Sequence, residues 1–159
     1  MNLSDVTIIL FFMLLILFQH SRTYHRALFY GTACDEAILT YVPQDLDGII
    51  RVHMWIGGAH FSNSHGTPPS TVFIDRFPGS SLSLFRDAYS VVFLSQDPLL
   101  PLNSAHLSCT DSLNPWRGDI LVLRHIGHNP QLVRSMSLDE KALVDAFLAS
   151  LSVLMLGSD

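Results

Sequence analysis

V-T-I-I-L-F-F-M-L-L-I-L-F, residues Val6–Phe18, is the stretch whose reading decides the architecture. Eleven of its thirteen residues are Val, Ile, Leu or Phe, and none is charged. As a helix rising about 1.5 Å per residue it spans about 20 Å, or about 24 Å if it starts at Leu3. A bilayer core is about 30 Å thick and takes about 20 residues. The run is short for that task. His20 and Arg22 can reach outward along their stems, and a bilayer can thin to meet a short span. Asp5 then falls near an interface, where a carboxylate costs far less than at the midplane. The run is apolar on every side of a helix and leaves no face for water.

Three readings compete for it: a membrane anchor, a buried helix or long strand of a soluble fold, and a cleaved signal peptide. Met1–Asp5 has no Lys or Arg and carries an acid, against the signal-peptide pattern. No small-x-small cleavage site follows closely, since the next residues are Gln19, His20, Ser21 and Arg22, and Gly31-Thr32-Ala33 lies too far downstream. The anchor is the leading reading. Arg22 and Arg26 follow the run and no basic side chain precedes it, which places the body on the cytoplasmic side. The one glycosylation sequon, Asn2-Leu3-Ser4, lies at the extreme terminus. Residues 1–21 are thus expected to form a hydrophobic helix that meets lipid through residues 6–18, and residues 22–159 a single domain.

Composition narrows the partners. Hydrophobic residues make up 48% of the 159 and charged ones only 14%. The charged share is well below the ~25% of ordinary soluble domains, so much of the chain is buried or some surface expects lipid or protein. Net charge is −5, with nine Lys and Arg scattered along the chain, so no nucleic-acid footprint is visible. Cys34 and Cys109 do not make a disulfide framework. In a reducing cytoplasm they are free thiols, and in a secreted protein they allow one bridge.

Ser21–His25 reads as a polar link after the anchor, and Ala27–Tyr30 as a short strand ended by Gly31. Ile38–Val42 is a strand stopped by Pro43. Gln44–Gly48 is a turn, and Ile49–Ile56 alternates as a strand that forms a hairpin with Ile38–Val42. Gly57–Ser70 is a loop. Thr71–Phe77 is a strand ended by Pro78-Gly79. Leu82, Phe85, Tyr89 and Val92 recur at helical spacing over Leu82–Ser95, although Tyr89–Leu94 is strand-like. Asp97–Pro115, rich in proline, wraps the domain. Gly118–Arg124 is an interior strand that Gly127–Pro130 breaks. Ser137 and Glu140 form a capping box for a helix over Leu138–Leu156, ended by Gly157, with Leu143, Phe147, Leu151 and Leu154 as its apolar stripe. Strands first and a helix last predict an α+β fold: a small, mainly antiparallel sheet with the C-terminal helix packed on it.

Trp116–His125, W-R-G-D-I-L-V-L-R-H, followed by a capped helix, resembles a stretch in small uncharacterised fungal proteins. The resemblance covers about a quarter of the chain. It implies no activity and carries over no functional residue.

Few motifs carry chemistry. His106-x2-Cys109, fifteen residues, then His125-x2-His128 has the outline of a paired zinc motif with three cysteines replaced by histidine. Its bland reading is two unrelated pairs of strand-end or surface histidines. His60 and His65 fall in the loop and read as solvated, and His53 as half-buried packing. Cys34 is the one suggestive nucleophile, but Asp35 and Glu36 beside it raise a thiol pKa rather than lower it. Asp75, Asp87 and Asp119 offer carboxylates that sequence cannot place together. No nucleophile elbow, Walker A loop, dinucleotide fingerprint or zinc-protease motif occurs. The sequence therefore predicts a membrane-anchored, non-catalytic binding or scaffolding module with a protein partner. The alternative is a zinc or thiol enzyme built on His106, Cys109, His125 and His128 or on Cys34. A third reading takes the chain as a fragment or a faulty gene prediction.

Overall fold

A computed structural model describes residues 23–44, 69–81, 84–94, 99–108 and 116–156. Six strands form one sheet: β1 (Thr23–Tyr30), β2 (Ile38–Gln44), β3 (Ser70–Arg76), β4 (Leu84–Phe93), β5 (Ile120–Ile126) and β6 (Asn129–Arg134). A short helix, α1 (Ser104–Leu107), precedes β5. A 3-10 turn (Leu138–Glu140) leads into the terminal helix α2 (Lys141–Leu156). The fold is α+β, with the sheet antiparallel throughout its pairs.

β5 is the centre. Its order in the sheet is β2-β1-β5-β4-β3, with β6 also paired to β5. β4 runs along one edge of β5. The other edge is shared end to end: β1 pairs Ile120–Val122, and β6 pairs Arg124–Ile126. The chain leaving β6 stays against β1, because the Met136 N–H donates to the Arg26 carbonyl at 2.9 Å and the Arg26 N–H donates to Ser135 Oγ at 3.1 Å. Ile120, Leu121, Val122 and Leu123 are all buried, as a strand covered on both faces requires.

Alternation divides the core in two. Leu28, Tyr30, Tyr89, Val91, Phe93, Ile120 and Val122 join Val144, Phe147, Leu148 and Leu151 of α2 on one face. Ala27, Phe29, Val92, Leu94, Leu121 and Leu123 make a second cluster on the other. Among the described residues no helix lies over this second face. Phe147 centres the first, its ring 5.3 Å from Tyr89 and 6.3 Å from Phe85.

Several expectations change. Leu82–Ser95 is not a helix: Leu84–Phe93 is β4, paired on both sides to β3 and β5. Its residues from Asp87 onward are buried on both faces, so apolar positions fill every phase and a helical count arises by coincidence. β1 begins at Thr23, so Thr23–His25 belongs to the sheet rather than to a link. β2 runs through Pro43 to Gln44, because β2 is the outermost of the described strands and β1 needs nothing from the outward nitrogen. The partner seen for Ile38–Val42 is β1; Ile49–Ile56 lies outside the described residues. Gly127 does not end the sheet. It takes φ 59 in a two-residue turn between Ile126 and Asn129, and β6 follows. A positive φ at the first central position alone is the II′ pattern that suits a hairpin. On α2 the buried face is Val144, Phe147, Leu148, Leu151 and Ser152, so Leu143 and Leu154 turn outward from the expected stripe. The capping box does form its reach-back arm, with the Ser137 N–H donating to Glu140 Oε2 at 2.9 Å. Residues 1–22, with the expected hydrophobic helix, lie outside the described residues. Among the described helices none is long and apolar enough to cross a membrane.

Asn103 clasps the proline-rich segment to the sheet. It is fully buried, and its amide donates to the carbonyls of Tyr30 (2.9 Å) and Gly118 (2.7 Å). Its Oδ1 accepts from the His106 N–H at 2.8 Å, capping α1. The Asn103 N–H itself donates to the Trp116 carbonyl at 2.9 Å. One side chain thus ties the end of β1, the entry to β5 and α1. Asn103→Ala removes the side-chain donors to the Tyr30 and Gly118 carbonyls and the acceptor of the His106 N–H, each contact worth about 1–3 kcal/mol. Urea denaturation is expected to show a loss of about 3 kcal/mol or more, and a loss below about 1 kcal/mol would contradict this account.

Candidate functional site

The residues singled out by sequence divide between the two sheet faces. His106, in α1, is buried on the α2 face, its ring 5.8 Å from Trp116 and its Nε2 3.0 Å from Ser152 Oγ. The Ser152 hydroxyl donates to the Leu148 carbonyl at 2.8 Å. That bond uses the hydroxyl hydrogen, so Nε2 is the donor to Ser152. His125 lies in β5 on the opposite face, in phase with Leu121 and Leu123. Its Nε2 is 2.7 Å from Ser90 Oγ, and its ring is 5.6 Å from Phe73. Ser90 is paired with both Phe73 and Leu123, which fixes this face. The sheet therefore stands between His106 and His125, and the even spacing in sequence does not bring them to one point. His128 is exposed in the β5–β6 turn. Cys109 lies outside the described residues, as do His53, His60 and His65. Among the described residues no group of three or more His, Cys, Asp or Glu side chains converges as a metal site needs.

Ser90 and His125 have the contact distance of a nucleophile and its base. Two features make the pair a core contact. Ser90 is 6% exposed and His125 2%. Among the described residues no partner meets His125 Nδ1, whereas a catalytic imidazole is oriented and stabilised there by a carboxylate. The Leu132 carbonyl favours the protonated ring without reaching Nδ1 in hydrogen-bond geometry.

Cys34 is a half-buried free thiol at the β1–β2 connection, packed against both clusters. Its N–H donates to the Gly31 carbonyl at 3.1 Å. A Cβ at Gly31 would stand 2.8 Å from Cys34 Sγ and from Phe29 Cε1, so the turn needs glycine. Asp119 accepts from the Thr32 N–H at 2.6 Å and fixes the same connection to the entry of β5. Asp75 pairs with its neighbour Arg76 on the surface. The three aspartates are not assembled together.

The polar cluster that sequence did not reveal surrounds Arg124. Asp87, buried at the start of β4, accepts from Arg124 Nε at 2.9 Å and from the Gly127 N–H at 2.9 Å, with Arg134 Nη1 at 3.4 Å. Arg124 Nη1 also meets Glu140 Oε1 at 2.9 Å, and the Tyr89 hydroxyl donates to that oxygen at 3.3 Å. Burial and the Glu140 carboxylate push the Tyr89 phenol up to about 12, so it remains a donor. The Gly127 N–H, ahead of the arginines, holds the Asp87 carboxyl below 3.8. On β1, the Tyr30 hydroxyl donates to Asp145 Oδ1 at 2.6 Å while Lys141 meets Oδ2 at 2.6 Å. These contacts join sheet to helix; each carboxylate is neutralised by a fixed cation or amide.

Burial disfavours the charged form of both core histidines and holds them below 6.5. For His106 the Leu148 carbonyl and Asp145 work against burial without overcoming it. The unfolded chain then binds more protons as pH drops below 6.5, so this part of the stability is present above that value and lost below it. Asp87 contributes stability that is lost only further down, below 3.8. Urea midpoints are expected to begin falling in an upper pH window that opens at 6.5 and to fall further in a lower one that opens at 3.8. His106→Gln with His125→Asn is expected to flatten the upper window and leave the lower one; an unchanged upper slope would exclude the histidines as its cause.

No family model matches the sequence, and neither a curated protein nor a solved structure matches it. The functional reading therefore comes from the chain's own residues.

Proposed function

We propose that the protein is a single-pass, membrane-anchored module whose α+β domain, residues 22–159, works by binding or scaffolding a protein partner on the cytoplasmic side rather than by catalysis. The observation that carries this reading is the Val6–Phe18 run, uncharged and apolar on every helical side, ending five residues before β1. Arg22 and Arg26 just after it set the orientation. Support from the domain is of a different kind. Its buried polar side chains, Asp87, Asn103, His106 and Asp119, are engaged in joining elements.

A second reading has its own observation. The sheet face of Leu121 and Leu123 is buried, yet no described helix covers it. An apolar run of this chain lying on that face is the soluble alternative.

Carbonate extraction of membranes separates the two. The full chain is expected to stay in the pellet, and a chain lacking residues 1–21 is expected to leave it. Release of the full chain would remove the anchor and favour the packed run.

A further inference from the structure

Thr23 pairs with Gln44, so both chain exits of the β1–β2 pair lie at one end of it. One of these exits leads back to the apolar run. Phe18 stands six residues before Tyr24, a path of at most about 20 Å when fully extended. Tyr24 pairs with Pro43 and Arg26 with Tyr41, so alternation puts Tyr24, Arg26, Tyr41 and Pro43 on one face. Tyr24 and Tyr41 are diagonal neighbours, about 7–8 Å apart at their backbones. This is the face that α2 covers further along, where Leu28 and Tyr30 are fully buried and Tyr30 bonds to Asp145. Toward the exits the cover stops. Tyr24 is 54% exposed and Tyr41 61%.

Two exposed tyrosines on an edge pair, beside the exit that leads to an apolar run, have the composition of a membrane-interface belt. The ring is apolar and the hydroxyl is wet, so tyrosine gains most at the headgroup level. The headgroup zones add about 10–15 Å in all to a core of about 30 Å, a depth that the short path from Phe18 can reach. We propose that Tyr24 and Tyr41, with Arg26 between them, form a platform that seats this end of the domain in the headgroup zone of the bilayer. The proposal rests on the anchor reading of Val6–Phe18. In sequence the formal charges balance: Arg22 and Arg26 flank the start of β1, and Asp45 and Asp47 follow Gln44. His25 is bonded to Gln44 at 2.7 Å. The platform therefore seeks the interface itself and does not require anionic lipid.

The test uses the full chain reconstituted in phosphatidylcholine vesicles. Tyr41→Trp and, separately, Tyr24→Trp keep an interfacial ring and add a reporter, read as the emission gained over the parent protein. Brominated phosphatidylcholine is expected to quench most of the added emission at both positions, equally with and without phosphatidylserine. Added emission that stays water-like and unquenched, while the chain resists carbonate, overturns the platform and leaves the anchor standing. Quenching that requires phosphatidylserine overturns the charge-balanced platform. Extraction of the parent chain by carbonate overturns the anchor and the platform with it.

Discussion

Ile120–Leu123 is buried on both faces and hydrogen-bonded along both edges, and the other elements take their places from that constraint. A strand so enclosed has no freedom of register. A slip of one residue would carry Leu121 and Leu123 into the α2 face and move Arg124 away from Asp87 and Glu140. The free length of β5 beyond β1 is completed by β6, which uses the same edge, so no backbone group of the central strand faces an apolar surface unpaired. The Gly127 turn permits this by reversing the chain in two residues and offering its N–H to Asp87 and its carbonyl to the Ala88 N–H.

Where the apolar run of β5 stops, charge takes over. Arg124 follows Leu123 and reaches two carboxylates from different elements. Glu140 serves two roles at once, since one oxygen caps the helix entry at Ser137 and the other meets Arg124. The start of α2 is thereby fixed to the sheet. A buried ion pair of this kind is a poor source of net stability, because desolvation offsets most of the attraction. Its effect is on geometry: a misplaced helix leaves the buried Asp87 and the half-buried Arg124 inadequately paired, which costs far more than the pair gains.

The sequence was most legible where burial was one-sided or complete over a short run. β3, β5 and the capped terminal helix stood close to where the residues placed them, and so did the α+β class. β4 was misread because Ser90–Phe93 is buried on both faces, which erases the two-residue period while Leu82, Phe85, Tyr89 and Val92 mimic a helical one. β6 was hidden by Pro130 and its polar residues, both tolerated on a short strand paired on one side. Two members of the candidate zinc set, His106 and His125, lie apart for a related reason. Spacing in the chain says nothing of which sheet face a strand residue takes, and His125 takes the face opposite His106. The partners Ser90, Ser152 and Asn103 were illegible because they act across tens of residues, and no local pattern marks them; the capping box marked Glu140 but not its contact with Arg124.

The distribution of polar groups bears on function through access. A catalytic pair must meet substrate, and it must change charge during turnover without unsettling its support. Ser90 with His125 and Ser152 with His106 sit behind the sheet or beneath α2, where burial already opposes protonation. Charging either ring would load the core that holds the fold. The exposed surface differs in kind: it includes the aromatic and aliphatic side chains Tyr24, Tyr41 and Ile38 of the β1–β2 pair. Such a surface gains free energy by being covered, and covering needs no proton transfer and no nucleophile. That contrast supports the proposal that the domain works by binding.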